Sequence, residues 1–82
     1  MSYLDYLTEK WTKPSRPVLF REVKQVCDQL FGEPRVRGSH HIYRTPWQGD
    51  PRINIQNRRG YVAAYQVKQV LKAVARMEED NG

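Results

Sequence analysis

Two histidines stand side by side in this 82-residue chain, in the run Gly38-Ser39-His40-His41-Ile42-Tyr43-Arg44. Unperturbed imidazole titrates near neutral pH, so a histidine at the mouth of a strand can act as a general acid or base. A glycine and a serine just before it let the backbone approach a ligand closely. The same run also has a purely structural reading, in which one ring packs at the core edge, the other meets water, and neither does chemistry. Zinc fits poorly, because adjacent strand residues face opposite sides and do not converge on one ion. Cys27 is the only cysteine, so it has no disulfide partner, and with two adjacent histidines it makes no spaced ligand set. The expectation is therefore no metal and no other cofactor. Arg37 and Arg44 flank the histidines, either to stabilise phosphate charge or simply as solvated surface groups.

The charge map points to a polyanion. The chain is +5 overall, yet nine of its fourteen Lys and Arg residues (Arg35, Arg37, Arg44, Arg52, Arg58, Arg59, Lys68, Lys72 and Arg76) lie between positions 35 and 76. Asp50 is the only acid in that stretch, giving it a net +8. The other acids lie before the basic stretch, between Asp5 and Glu33, and after it in Glu78-Glu79-Asp80, the distribution expected of a phosphate-binding surface. Basic residues that merely keep a small domain soluble are the competing explanation. A chain of this length folds as one domain with a small core. It shows no charged start followed by an apolar run and no apolar stretch near the roughly 20 residues of a membrane span, so a soluble cytoplasmic protein without a membrane partner is expected.

Several elements must hold these residues in place. Ser2 and Asp5 have capping-box spacing, and Leu4, Leu7 and Trp11 recur on one helical face, predicting a helix from Met1 to Trp11. The prolines of Thr12-Lys13-Pro14-Ser15-Arg16-Pro17 break it and form a connector. From 19 to 31, Leu19, Val23, Val26, Cys27, Leu30 and Phe31 trace an amphipathic helix that Gly32 caps, which makes Cys27 a core thiol and not a nucleophile. Three extended segments follow: Pro34 to Arg37, His40 to Thr45 and Arg52 to Gln56, the last two joined as a hairpin by residues 46–51. Asn57-Arg58-Arg59-Gly60 reads as a turn. The final helix, Ala64 to Met77, sets Val67, Val70, Leu71 and Val74 on one face and steps Lys68, Lys72 and Arg76 by four along another. The predicted fold is α+β: helix, three-stranded antiparallel sheet, helix, preceded by an extra N-terminal helix. Both main helices are expected on one face of the sheet, with the other face open to ligand, the arrangement of a double-stranded-RNA-binding domain.

The run from Gly38 to Arg44, then Ile53-Asn54-Ile55-Gln56-Asn57, then a glycine, then Tyr65-Gln66-Val67-Lys68-Gln69-Val70-Leu71 resembles, in this order and spacing, the HicA family of toxin–antitoxin ribonucleases. The likeness spans roughly Val18 to Ala75. It implies residues 1–17 as an N-terminal helix and Pro-containing connector, and residues 18–82 as a HicA-like ribonuclease domain with a double-stranded-RNA-binding-like fold. It further implies a metal-independent endoribonuclease, an mRNA interferase, restrained by a HicB-type antitoxin. The family's functional histidine directly follows the Gly-Ser pair, which is His40 here; His41 matches a position that the family fills less strictly.

On this reading His40 removes the proton from a ribose 2′-hydroxyl, while Ser39, His41, Arg37, Arg44, Lys68 and Lys72 are candidates to hold the RNA. Ser39, His41 and Tyr43 are candidates for a second proton-transfer group. Trp47, at the hairpin tip, stacks an unpaired base or packs over its own hairpin. Strand alternation leaves one question open. If Ile42 is core then His40 points inward, unless a bulge at Gly38-Ser39 re-aims it or Tyr43 takes the core position instead. Two other readings use the same charges: a non-catalytic RNA-binding module of the same topology, favoured if Lys68, Lys72 and Arg76 lie far from His40, and an interaction protein whose positive face holds an acidic partner.

Overall fold

The computed structural model describes residues 2–13 and 16–81, the side chain of Asn81 excepted. Met1, Pro14, Ser15 and Gly82, which fall in the predicted first helix, the connector and the end of the second segment, lie outside the described residues. Helix α1 (Tyr3–Trp11) starts on the capping box: the Ser2 hydroxyl accepts from the Asp5 amide at 3.1 Å, and the Asp5 carboxylate accepts from the Ser2 amide at 3.3 Å. Leu7 and Trp11 are buried with the rest of the core, so α1 packs as part of one folded unit. The Leu4 amide donates to Glu78 on the last helix, 3.4 Å away.

Strand β1 (Val18–Leu19) leads directly into α2 (Phe20–Phe31), which ends at Gly32 with φ +85°, a backbone conformation that favours glycine. Strands β2 (Arg35–Arg37), β3 (His40–Tyr43) and β4 (Ile53–Gln56) form an antiparallel sheet in the order β2-β3-β4. Strand β5 (Tyr61–Val62) pairs with β1 in a separate two-stranded ribbon that period-two reading did not reveal. The turn before it places Arg59 and Gly60 at φ +53° and +91°, the type I′ signature, and closes on mutual backbone bonds between Arg58 and Tyr61. Helix α3 (Ala64–Asn81) runs four residues past the predicted end at Met77. Among the described residues no helix is both long and apolar enough to cross a membrane.

The core is made by α1, α2, α3, the inner side of the sheet, and Val18 and Val62 of the β1–β5 ribbon. Val23, Cys27, Tyr43, Ile55 and Val70 are wholly buried, each large apolar side chain contributing about 1.5–3 kcal/mol relative to exposure. Burial pushes the Cys27 thiol up to about 12, so it stays protonated and unreactive. The two main helices divide their work differently from the expectation. While α2 covers the inner face of the sheet, α3 also lies along the free edge of β4: the Gln56 amide donates to the Gln66 side chain at 3.0 Å, and Gln69 donates to the Arg52 carbonyl at 3.4 Å. Gln66 is buried to 3% exposure for this purpose, since an open strand edge presents unpaired backbone groups.

Candidate functional site

Strand β3 resolves the facing of the two histidines. Gly38 and Ser39 form a two-residue hairpin turn between the paired Arg37 and His40, with φ positive only at Gly38 (+57°), the type II′ pattern. No bulge enters the strand. Tyr43 is fully buried, so alternation sends His41 inward with it and turns His40 and Ile42 to the outer face. The His41 ring meets Phe20 edge-on at 4.8 Å between centroids, and its Nδ1 is buried without a hydrogen-bond partner. The Tyr43 hydroxyl donates to Asp28 at 2.6 Å, and burial first, then that carboxylate, push the phenol far above its ordinary range. His41 and Tyr43, candidates for RNA contact or proton transfer, therefore stand on the opposite side of the sheet from His40.

His40 lies in an open groove of about 480 Å³, together with Asn54, Tyr65, Gln66, Lys68, Gln69 and Lys72. The sheet supplies the floor and the flank of α3 the wall, because α3 sits at the β4 edge. The Nδ1 atom of His40 is 3.1 Å from Oδ1 of Asn54. With the amide oxygen facing the ring, Nδ1 is the donor; in the neutral ring that tautomer leaves the lone pair on Nε2, the form a general base needs. Ser39 is exposed at the turn, where its Oγ accepts from Gln56 Nε2 at 3.1 Å, and the Asn57 amide donates to the Ser39 carbonyl at 2.9 Å. These bonds fix the turn just ahead of His40.

Cations border the groove on both sides. Lys68 and Lys72, two of the three cations that step by four in a ridge along this helix, rise on the α3 wall beside His40. Across the outer face of the sheet, Arg37 pairs with His40 and Arg35 with Ile42; Arg35, Arg44 and Arg52 line a second depression beside Ile42 together with Glu33, and Arg52 is paired with Asp50 at 3.1 Å. Arg76 leaves the ridge: its guanidinium lies 4.6 Å from the Trp47 ring centroid. Trp47 also meets Phe31 edge-on at 6.1 Å and donates from Nε1 to Asp80 at 2.6 Å, so it packs between α2 and α3, away from the groove. Neither of the two sequence readings for Trp47, base stacking or packing over its own hairpin, describes that position.

Neither a family model, nor a curated protein, nor a solved structure gives a significant match to this chain. Among the described residues no three His, Cys, Asp or Glu side chains come together as a metal-binding group. What the groove contains is one histidine with an oriented ring, two ammonium groups and a set of amides, a combination suited to moving one proton beside a bound anion. Sequence reasoning missed Asn54, Tyr65, Gln66 and Gln69 as site residues. Asn54 was detectable, because period-two alternation in Ile53-Asn54-Ile55-Gln56 puts it on the face opposite the two buried isoleucines.

Proposed function

We propose that this protein is a metal-independent endoribonuclease of the HicA kind, an mRNA-cleaving toxin with His40 as its catalytic residue, built on a double-stranded-RNA-binding-like fold. The observation that carries the reading is that His40, its ring bonded to Asn54, shares one groove with Lys68 and Lys72. In the proposed step, Nε2 of His40 takes the proton of a ribose 2′-hydroxyl. The 2′-oxygen then forms a bond to the adjacent phosphorus, the bond from phosphorus to the 5′-oxygen breaks, and that oxygen takes a proton from water in the open groove. Lys68 and Lys72 neutralise the phosphate charge that grows during attack. Arg35, Arg37 and Arg44 extend the positive surface along which the strand lies. DNA, which lacks the 2′-hydroxyl, is not cleaved.

A HicB-type antitoxin fits the same surface. Acidic side chains laid over Arg37, Arg44 and the α3 lysines would block His40, so that antitoxin and RNA compete and binding weakens with salt. The non-catalytic RNA-binding alternative would have gained weight from Lys68, Lys72 and Arg76 lying together far from His40; Lys68 and Lys72 instead share its groove. The test is incubation of pure protein with RNA in excess chelator beside a His40→Ala variant. Cleavage by the wild type and its loss in the variant support the proposal; equal cleavage by both removes His40 from the mechanism.

A further inference from the structure

Tyr65 opens α3 with 64% of its surface in water, more than any other large hydrophobic side chain among the described residues. The core makes no use of the ring, whose place is on the lining of the His40 groove, next to Lys68 and Lys72. Its hydroxyl accepts from Gln66 Nε2 at 3.4 Å, and Gln66 is itself buried and bonded to the β4 backbone. The ring is thus an exposed aromatic surface tethered to a fixed amide. An aromatic face beside cations is the combination that binds a nucleotide, with the base on the ring and the phosphate on the ammonium groups. Stacking of this kind needs a base with a free face, which a duplex does not offer outside its ends. Of the other aromatic side chains of the basic segment, Tyr43 is buried, Trp47 is held by Phe31, Arg76 and Asp80, and Tyr61, though exposed, does not line the groove.

We propose that Tyr65 stacks an unpaired base of the RNA in the His40 groove, so that the site takes single-stranded RNA in preference to duplex. The inference rests on the reading of this groove as an RNA site and adds which RNA it accepts. The stacked base anchors the strand at the N-terminal end of α3, and its neighbouring phosphates pass along Lys68 and Lys72 over His40.

The experiment measures binding in the His40→Ala background, where the ligand survives, using a fluorescent RNA oligonucleotide alone and the same oligonucleotide annealed to its complement. The single strand is expected to bind about tenfold or more tighter than the duplex. Adding Tyr65→Ala or Tyr65→Leu weakens single-strand binding by about tenfold or more, and Tyr65→Trp preserves it. Because no phosphate contact is lost, the salt dependence of binding keeps its slope in all three variants. Melting curves check that each variant folds, and the exposure of Tyr65 predicts little change. Single-strand binding within about twofold of the parent in Tyr65→Ala, or duplex bound as tightly as single strand, overturns the stacking proposal. If wild-type cleavage in chelator persists alongside that result, the ribonuclease reading stands and only the role of Tyr65 falls; absence of both RNA binding and cleavage overturns the two together.

Discussion

Tyr43→Phe removes one hydroxyl from the core and separates the structural side of β3 from the chemical side. The hydroxyl donates to Asp28 at 2.6 Å, and a hydrogen bond to a charged group is worth about 1.5–3 kcal/mol. The Asp28 side chain is 37% exposed and also bonded to Lys24, so water and the ammonium compensate for part of the loss and the lower end, about 1.5 kcal/mol, applies. For a domain of this size that lowers Tm by about 6–12 °C. The pH dependence follows from Asp28. Burial alone would raise its pKa, but the hydrogen bonds from Lys24 and Tyr43 and the charges of Lys24 and His41 outweigh burial and hold it below the ordinary carboxylate value. A depressed folded-state value contributes stability above the unfolded value, near 3.9, and loses it as pH falls through the folded one. The gap in Tm between wild type and variant is therefore full at pH 7 and shrinks below about pH 4. Melting followed by circular dichroism across pH reads it. Equal Tm at pH 7, or a gap that widens in acid, would refute the assignment of this bond. Cleavage below both melting temperatures stays at the wild-type rate, because Tyr43 is on the far side of the sheet; a large loss of rate would return it to the list of proton-transfer groups.

Asn54→Asp places a carboxylate beside the His40 ring and favours its protonated form, so the acid limb of the pH–rate profile moves to higher pH, while Asn54→Ala lowers the rate with less movement of the limb. A limb that stays in place in Asn54→Asp would remove Asn54 from the site. Lys68→Ala and Lys72→Ala each remove one phosphate contact, and each lowers the salt slope of single-strand binding by about 0.7, a change absent in Arg76→Ala, whose guanidinium is engaged with Trp47.

The helices were legible where apolar spacing was clean. Leu7 and Trp11, Val23 to Phe31, and Val67 to Val74 all pack inward as their periodicity requires, and Gly32 ends α2 where expected. The ribbon of β1 and β5 was not legible, because two-residue strands carry no measurable period. The end of α3 was misjudged because the apolar pattern stops near Met77, whereas the helix continues through Glu78 and Asp80, which accept bonds from the Leu4 amide and the Trp47 ring. Such contacts join residues more than thirty positions apart and leave no local trace. The facing of His40 stayed ambiguous for a different reason: Ile42 and Tyr43 are both apolar, so alternation alone could not say which one the core takes. The Asp28 carboxylate decides it, because it gives the hydroxyl of the buried Tyr43 a hydrogen-bond partner. Tyr65 was quoted only as part of a motif, since an aromatic residue in a helix is usually core, and only its exposure beside His40 marks it as surface chemistry.

In the proposed reaction the Nε2 atom of His40 directs a ribose 2′-oxygen at the neighbouring phosphate by taking its proton. The most direct measurement is the chemistry of the cut ends, read by mass spectrometry on RNA cleaved in excess chelator, with a matched substrate carrying one 2′-deoxynucleotide at the cut site. The expected result is a 2′,3′-cyclic phosphate and a 5′-hydroxyl, no cleavage at the deoxy position, and a rate lowered by about 10²–10⁴-fold in His40→Ala. Ends bearing a 5′-phosphate, or cutting at the deoxy position, would contradict attack by the 2′-oxygen.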